Sequence, residues 1–350
     1  MIQYLEPLCL SVHVNGMLPF SADQFEIKKD SGIVGTQEFI CSMLNERDYQ
    51  VTVGNLGNII GRNKNAGNGE KETIIVEAHY DEVGFIVTGI DEKGFVKVDA
   101  CGGADPRVLA AAEVVVWGKN LRPGVFCSTP PHLQKEEGKI PELIDCAIDI
   151  GMESKEAREA IPVGTRVSYK PHFHKLLGSR ISAKSLDNRA GVAAVLRCID
   201  LLKKNELDVT VIFSAQEELG CRGSSVAVFG KKAKAVMVVD VSFAATPDSD
   251  KRICGVIRKG PMIGISAVLD PTLSEFLIQI ANKQKIPIQY EVMGNETGTD
   301  ADNISKTGYG LKAALVSIPI KYMHTPNEVA DLNDIESTAK LMAAFINEYE

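Results

Sequence analysis

His79, Asp187, Glu217, Glu218, Asp240 and His324 stand where apolar runs end or where turns begin. His79 follows Thr73-Ile-Ile-Val-Glu-Ala, the pair Glu217-Glu218 follows Val209-Thr-Val-Ile-Phe-Ser-Ala, and Asp240 follows Ala235-Val-Met-Val-Val. His324 lies just beyond Ala313-Ala-Leu-Val-Ser-Ile. If these β-branched runs are strands of one buried sheet, the ligand candidates that follow them emerge at C-terminal strand ends, where open α/β sheets bind ligands. Two imidazoles and several carboxylates meeting there make a site for one or two divalent cations, and such a site points to hydrolysis.

Most of these residues also have a plainer role. In His79-Tyr80-Asp81 the spacing puts the outer two side chains on one side of an extended segment. His79 then binds a metal through one ring nitrogen while Asp81 accepts a hydrogen bond from the other, or the pair is an ordinary strand-end turn. Asp187 either caps the helix it precedes or bridges two cations. Glu217 and Glu218 repel each other after an apolar strand unless a metal or a proton relieves them. One can then ligate while its neighbour serves as general base; otherwise they form the acidic first turn of a helix. Asp240, ending a buried strand, needs a partner, for which a cation is suited. His324 sits in the loop Tyr322-Met-His-Thr-Pro-Asn-Glu, where an ordinary loop histidine also fits. His13, His132, His172 and His174 lack comparable acidic context and read as structural or surface residues.

The elements that must position these groups follow from periodicity. Residues 36–47 carry apolar positions at helical spacing, 49–55 and 58–61 read as strands, and 63–71 as an exposed hairpin loop leading into strand 73–78. From 84 to 175, short alternating runs separated by Gly and Pro turns suggest a small barrel or sandwich. Beyond 182, strands 209–215, 235–239, 288–292 and 313–318 are interspersed with helices 188–204, 221–230, 271–285 and 334–349. That pattern implies a mostly parallel sheet covered on both faces. The domain reading is one α/β unit, residues 1–83 and 176–350, interrupted by an inserted β unit, 84–175.

A chain of 350 residues, 45% apolar and 24% charged, has the composition of a soluble globular protein and room for two cores. A net charge of −8 without a long Lys/Arg cluster argues against nucleic acid as a partner. No apolar stretch is long enough to span a bilayer, and the first residues lack the pattern of a secretion signal. The eight cysteines contain no Cys-x-x-Cys pair. They read as reduced core thiols, Cys41, Cys146 and Cys198 among them, in a cytoplasmic protein.

His79-Tyr-Asp-Glu-Val-Gly, Gly102-Gly-Ala-Asp-Pro-Arg-Val-Leu, Pro130-Pro-His-Leu, Ser185-Leu-Asp-Asn-Arg-Ala-Gly, Gln216-Glu-Glu-Leu-Gly-Cys-Arg-Gly, Gly298-Thr-Asp-Ala and Met323-His-Thr-Pro-Asn-Glu occur in that order. Together they closely resemble the tetrahedral, or glutamyl, aminopeptidase family of dinuclear metallopeptidases, over roughly residues 35–350. The resemblance implies an α/β, phosphorylase/hydrolase-like fold: a mixed sheet sandwiched by helices, with an inserted small β-barrel used for dimerisation. It implies removal of N-terminal residues from peptides and assembly of dimers into a dodecamer. Two divalent metal ions per subunit, zinc or cobalt, would be bridged by Asp187. His79 and Asp240 would complete one metal site, and Glu218 and His324 the other. Glu217 would be the general base, Asp81 would orient His79, and the peptide after Asp187 would be cis.

Some proteins of this family carry endoglucanase names, so a glycoside hydrolase is one alternative and a deacylase of the same dinuclear fold another. One tryptophan and 6% aromatic residues are meagre for a sugar-stacking cleft. The chain departs from the family pattern at Ser31-Gly-Ile-Val-Gly (usually Ser-Gly-x-Glu), at Glu296-Thr-Gly-Thr-Asp (usually Gly-Gly-Thr-Asp) and at His324-Thr-Pro (usually His-Ser-Pro). Thr297 falls near the expected substrate pocket. Arg252, Arg258, Lys259 and Lys321 either select acidic substrate side chains or are solvated surface charge.

Overall fold

Runs of β-branched residues without a polar break form the strands of the main sheet, because strands covered on both faces have no polar side to show. The computed structural model describes residues 1–17, 35–64, 73–133, 140–203 and 208–349. β1 (Tyr49–Val53), β2 (Ile59–Asn63) and β3 (Thr73–His79) start the main sheet. The chain then leaves it for β4 (Gly84–Ile90), β5 (Val96–Cys101), β6 (Glu113–Trp117), β7 (Leu121–Phe126), β8 (Ala147–Asp149) and β9 (Arg166–Tyr169). These close into an antiparallel barrel in the order β4-β5-β8-β7-β6-β9, which leaves no free edge. β10 (Phe173–Lys175) and β11 (Arg180–Ala183) lead back to β12 (Asp208–Ser214), β13 (Ala235–Phe243), β14 (Met262–Ser266), β15 (Gln289–Met293), β16 (Ala313–Ile320) and β17 (Glu328–Asp331).

The main sheet runs β1-β2-β12-β3-β13-β16-β14-β15, and β10-β11-β17 form a small separate sheet. Strand alternation splits the core in two. Val76, Val211, Phe213, Met237, Val239, Val316 and Ile318 face the helices Ile2–Leu10, Thr36–Asn45, Leu186–Leu201, Pro271–Gln284 and Leu332–Glu348. Ile75, Ile212, Val238 and Leu315 face the other way, onto the helices Arg222–Val228 and Ala301–Ile304. Each such side chain, fully buried, stabilises the fold by about 1.5–3 kcal/mol.

The sheet is mixed rather than mostly parallel. β12, β3, β13 and β16 run parallel at its centre, but β2 pairs antiparallel with both β1 and β12, and β14 antiparallel with β16. The expected hairpin at 63–71 does not join neighbours, because β12 inserts between β2 and β3. Residues 65–71 of that segment lie outside the described residues, as do 31–34 of the Ser31 motif and Lys204 at the end of the expected helix 188–204. All eight cysteines are free. Cys198 is buried, but Cys41 and Cys146, also expected in the core, are partly exposed.

Candidate metal centre and substrate cleft

His79 is the last residue of β3 and pairs with Ser214, the last of β12, so the Glu217–Glu218 turn begins beside it. Asp240 is not at a strand end as expected, since β13 runs on to Phe243. The ladder between β13 and β3 stops at Val238, whereas that with β16 continues to Phe243. Asp240 therefore opens onto the space beyond β3 while its other edge stays paired.

Asp187 lies in a turn entered through Ser185 at φ 57°, and the Asp187–Asn188 peptide is cis. The turn is tied down by Asn188, whose side-chain N–H donates to the Val239 carbonyl at 2.8 Å and whose Oδ1 accepts the Gly191 amide at 3.0 Å. Asp187 makes no capping bond; its carboxylate faces two imidazoles. Glu217 and Glu218 form no exposed helix turn either, their side chains being 13% and 5% accessible.

The distances define two groups that share one residue. His79 Nε2 lies 3.1 Å from Asp187 Oδ1 and 3.5 Å from Asp240 Oδ1. His324 Nε2 lies 3.1 Å from Asp187 Oδ2 and 3.3 Å from Glu218 Oε1. Within each group the donor atoms all fall within 4.8 Å of one another. Ligands about 2.0–2.2 Å from a tetrahedral cation stand roughly 3.3–3.6 Å apart, so these contacts are close to the edges of such a tetrahedron. The donor set, imidazole nitrogen with carboxylate oxygen, suits a borderline divalent metal.

Electrostatics point the same way. Burial raises Glu217 to about 9, with Asp240, Asp300 and Glu218 adding to it and His79 opposing. Burial likewise lifts Asp240 to about 6 against the pull of His79. Burial opposes charge on the histidines, but carboxylate partners outweigh it, holding His79 well above its ordinary range and His324 at about 11. Asp187, buried yet hydrogen-bonded by both imidazoles, is held below the usual carboxylate range. The cluster calls for more positive charge than two neutral imidazoles supply. Its acids are accommodated only by retained protons or by bound cations.

Asp81 lies beside His79 and also supports the acidic turn. Its Oδ1 is 3.6 Å from His79 Nδ1, and that ring nitrogen makes no hydrogen bond. The Asp81 carboxylate also accepts the backbone amides of Glu217 at 3.2 Å and Glu218 at 3.3 Å. It holds the acidic turn while lying within ion-pair reach of the imidazole.

Sequence reasoning missed several supporting groups. Glu328, buried at the start of β17, accepts the Asp187 amide at 3.0 Å and the His324 amide at 2.8 Å. The Gly103 carbonyl lies 3.1 Å from His324 Nδ1; a carbonyl only accepts, so Nδ1 carries the proton and Nε2 is left to face the centre. Both residues stood in motifs already singled out, Glu328 closing the His324 motif and Gly103 in the Gly102-Gly103 pair. Glu82 is buried near the Asp187 turn, pairing with Lys184 Nζ and Ser185 Oγ and accepting the His13 amide at 2.9 Å. His13 is thus structural, and His172 and His174 lie against each other, tilted by 33°, and do not line the cleft of the centre.

The centre opens into a cleft of about 620 Å³, further lined by Cys221, Phe243, Glu291, Thr297, Lys306 and Met323. Thr297 lines it as expected. Arg252, Arg258, Lys259 and Lys321 do not, and Arg252 is paired with Asp250 on the surface.

The sequence model of the M42 glutamyl aminopeptidases matches residues 57–341. A lysyl aminopeptidase of Pyrococcus furiosus is 33% identical over 322 residues, covering 90% of this chain and 92% of the relative. Among solved structures, an aminopeptidase from the archaeon Desulfurococcus kamchatkensis superposes with a TM-score of 0.86 at 30% identity, over 99% of this chain and 95% of that one. A Pyrococcus horikoshii TET1 peptidase, described as able to assemble into a tetrahedron or a large octahedral shell, gives a TM-score of 0.79 at 31% identity, over 89% and 93% of the two chains. With the family model and these relatives spanning most of its length, the chain belongs to the M42 glutamyl aminopeptidase family.

Proposed function

We propose that this protein is a dinuclear metallo-aminopeptidase that removes residues from the N-termini of peptides. One observation carries the reading: the two oxygens of Asp187 face different imidazoles, each of which has its own second carboxylate. Two divalent cations held there, zinc or cobalt by the donor set, would supply Lewis acidity and a water of lowered pKa. His79 and Asp240 would serve one and Glu218 and His324 the other, with Asp187 between them.

Glu217 belongs to neither donor group, and its Oε2 is 3.9 Å from His79 Nε2. That leaves it free to take a proton from the attacking water and deliver it to the leaving amine, a role worth about 10²–10⁴-fold in rate. Asp81 fixes the turn that carries it. The carboxylates around the centre also offer acceptors to a substrate α-ammonium, which would restrict cleavage to the first peptide bond.

The barrel segment, 84–175, is the proposed association domain, and through Gly103 it also orients His324. The tetrahedron described for the TET1 peptidase supports self-association, and dimers formed through the barrel, assembled further into a dodecamer, are the arrangement proposed for this chain. The free cysteines support a cytoplasmic location, and among the described residues no helix is long and apolar enough to cross a membrane. Light scattering tests the assembly: a mass near one subunit, unchanged by added metal, refutes both the dimer and the particle. Asp81 is fully buried, held by two amides and absent from the cleft wall, which weighs against pairing it with Glu217 as glycosidase carboxylates.

Dialysis against a strong chelator should abolish hydrolysis of aminoacyl chromogenic substrates, and zinc, cobalt or manganese should restore it. Full activity in protein shown metal-free by elemental analysis refutes the reading.

A further inference from the structure

The family's name and that of the Pyrococcus furiosus relative differ in the side chain they specify, and the wall beyond the metal centre bears on which one this cleft accepts. Ser242 follows Asp240 by two residues on the same face of β13, about 7 Å further along the strand. Ser317 is the register partner of Asp240 on β16. Glu291 on β15 reaches toward both serines, one carboxylate oxygen accepting from Ser242 Oγ and the other from Ser317 Oγ at 2.6 Å.

Two hydroxyl donors do not exhaust a carboxylate, which offers about four acceptor positions. Glu291 lines the cleft, and among the described residues no lysine, arginine or histidine is placed to neutralise it. Burial raises its carboxyl while the two hydroxyls pull the other way, so the group sits where a cationic partner is favourable. Its neighbours are in keeping. Glu296 adds a further carboxylate at the rim, and Lys306 is exposed there. Asp302 is occupied with the amides of Thr297 and Gly298.

We propose that Glu291 is a specificity residue that receives the first side chain of the substrate and selects lysine or arginine. This rests on the aminopeptidase reading of the centre. The step of about 7 Å along β13 from Asp240 to Ser242 is comparable to the length of an extended unbranched side chain, and Met323 lines the same cleft. A charge-assisted contact of this kind should favour lysine over its uncharged isostere norleucine on the order of ten- to a hundredfold.

The test compares kcat/KM for lysyl, arginyl, norleucyl, leucyl and glutamyl chromogenic substrates in metal-loaded wild type, Glu291→Gln and Glu291→Lys. The wild-type Lys/norleucine ratio should be at least tenfold and should fall to near one in Glu291→Gln. Glu291→Lys should raise the Glu/Lys ratio above the wild-type value. Calorimetric titration with free L-lysine and L-norleucine should show the same loss of discrimination without turnover, and elemental analysis should show metal retained. A wild-type preference for leucyl or glutamyl substrates, or a ratio unmoved by Glu291→Gln, overturns the proposal while leaving the aminopeptidase reading intact. No cleavage of any member of the panel overturns both.

Discussion

Glu328→Gln separates the two halves of the proposed centre. Glu328 is 1% exposed and spends both oxygens on backbone amides, Oε2 on Asp187 and Oε1 on His324. Burial and the Asp187 charge raise its carboxyl well above the usual range, with the two amides opposing, so a neutral glutamine changes hydrogen bonding more than charge. Glutamine fills the same volume but offers one carbonyl and one NH₂, so one of the amides must lose its acceptor. A buried donor left unpaired costs about 1–3 kcal/mol, and that is the expected loss of stability. The structure indicates which contact yields. Asp187 is enclosed, its neighbour Asn188 bonded to Val239 and Gly191, whereas the His324 side chain is 29% accessible and lies in a loop. Glutamine should therefore keep Asp187 and release His324. Supporting groups of this kind are worth about 10–100-fold in metal affinity. Titration of the metal-free variant with zinc against a chromophoric chelator should show one site weakened by that factor and the other within about threefold, with thermal denaturation recording the stability loss. Two sites of wild-type affinity, or loss of the His79 site first, refute the reasoning.

Glu217→Gln should retain both metals by elemental analysis and lose about 10²–10⁴-fold in kcat, whereas loss of metal would make Glu217 a ligand. Gly103→Ala should displace His324, because a Cβ there would stand 2.8 Å from its Nδ1. A shift of about 1 Å at a catalytic group costs roughly 10²-fold, so kcat/KM near wild type would show that Gly103 does not position the ring. In metal-free protein the ordinary His324 value of 6.5 is raised to about 11, so its contribution to stability is complete below 6.5 and is lost as pH rises toward 11. Zinc must displace that proton, so apparent affinity should rise with pH across the same window. Calorimetry in two buffers of different ionisation enthalpy should detect proton release, and a pH-independent affinity without release refutes the assignment.

What could be read from the sequence was what local chemistry determines. The apolar runs before His79, Glu217 and Asp240 are strands, and they bring these residues together because parallel neighbours end on the same side of a sheet. What could not be read depended on contacts between distant segments. Nothing local in the 63–71 stretch says that β12, more than a hundred residues later, enters between β2 and β3. Asp240 looked like a strand end because the apolar run stops there, yet pairing with β16 carries β13 on to Phe243. Asp81 had the spacing to face His79 and does lie 3.6 Å from its Nδ1, but its bonds to two amides in the turn after β12 could not be read from that spacing.

Glu328 shows why the support of a centre is harder to read than its ligands. A ligand is recognised by its own side chain, since few residue types bind metal. A supporting carboxylate is recognised only by what it receives, here two backbone amides 141 and 4 residues away in sequence. Every residue but proline offers such an amide, so composition and spacing carry no mark of the pairing. The same holds for the Gly103 carbonyl, which comes from the barrel segment to orient a histidine on the other side of the chain's topology. Half of what holds His324 in place is therefore main chain. Substitutions that spare all the proposed ligands but move these backbone groups should damage the centre nearly as much as losing a ligand.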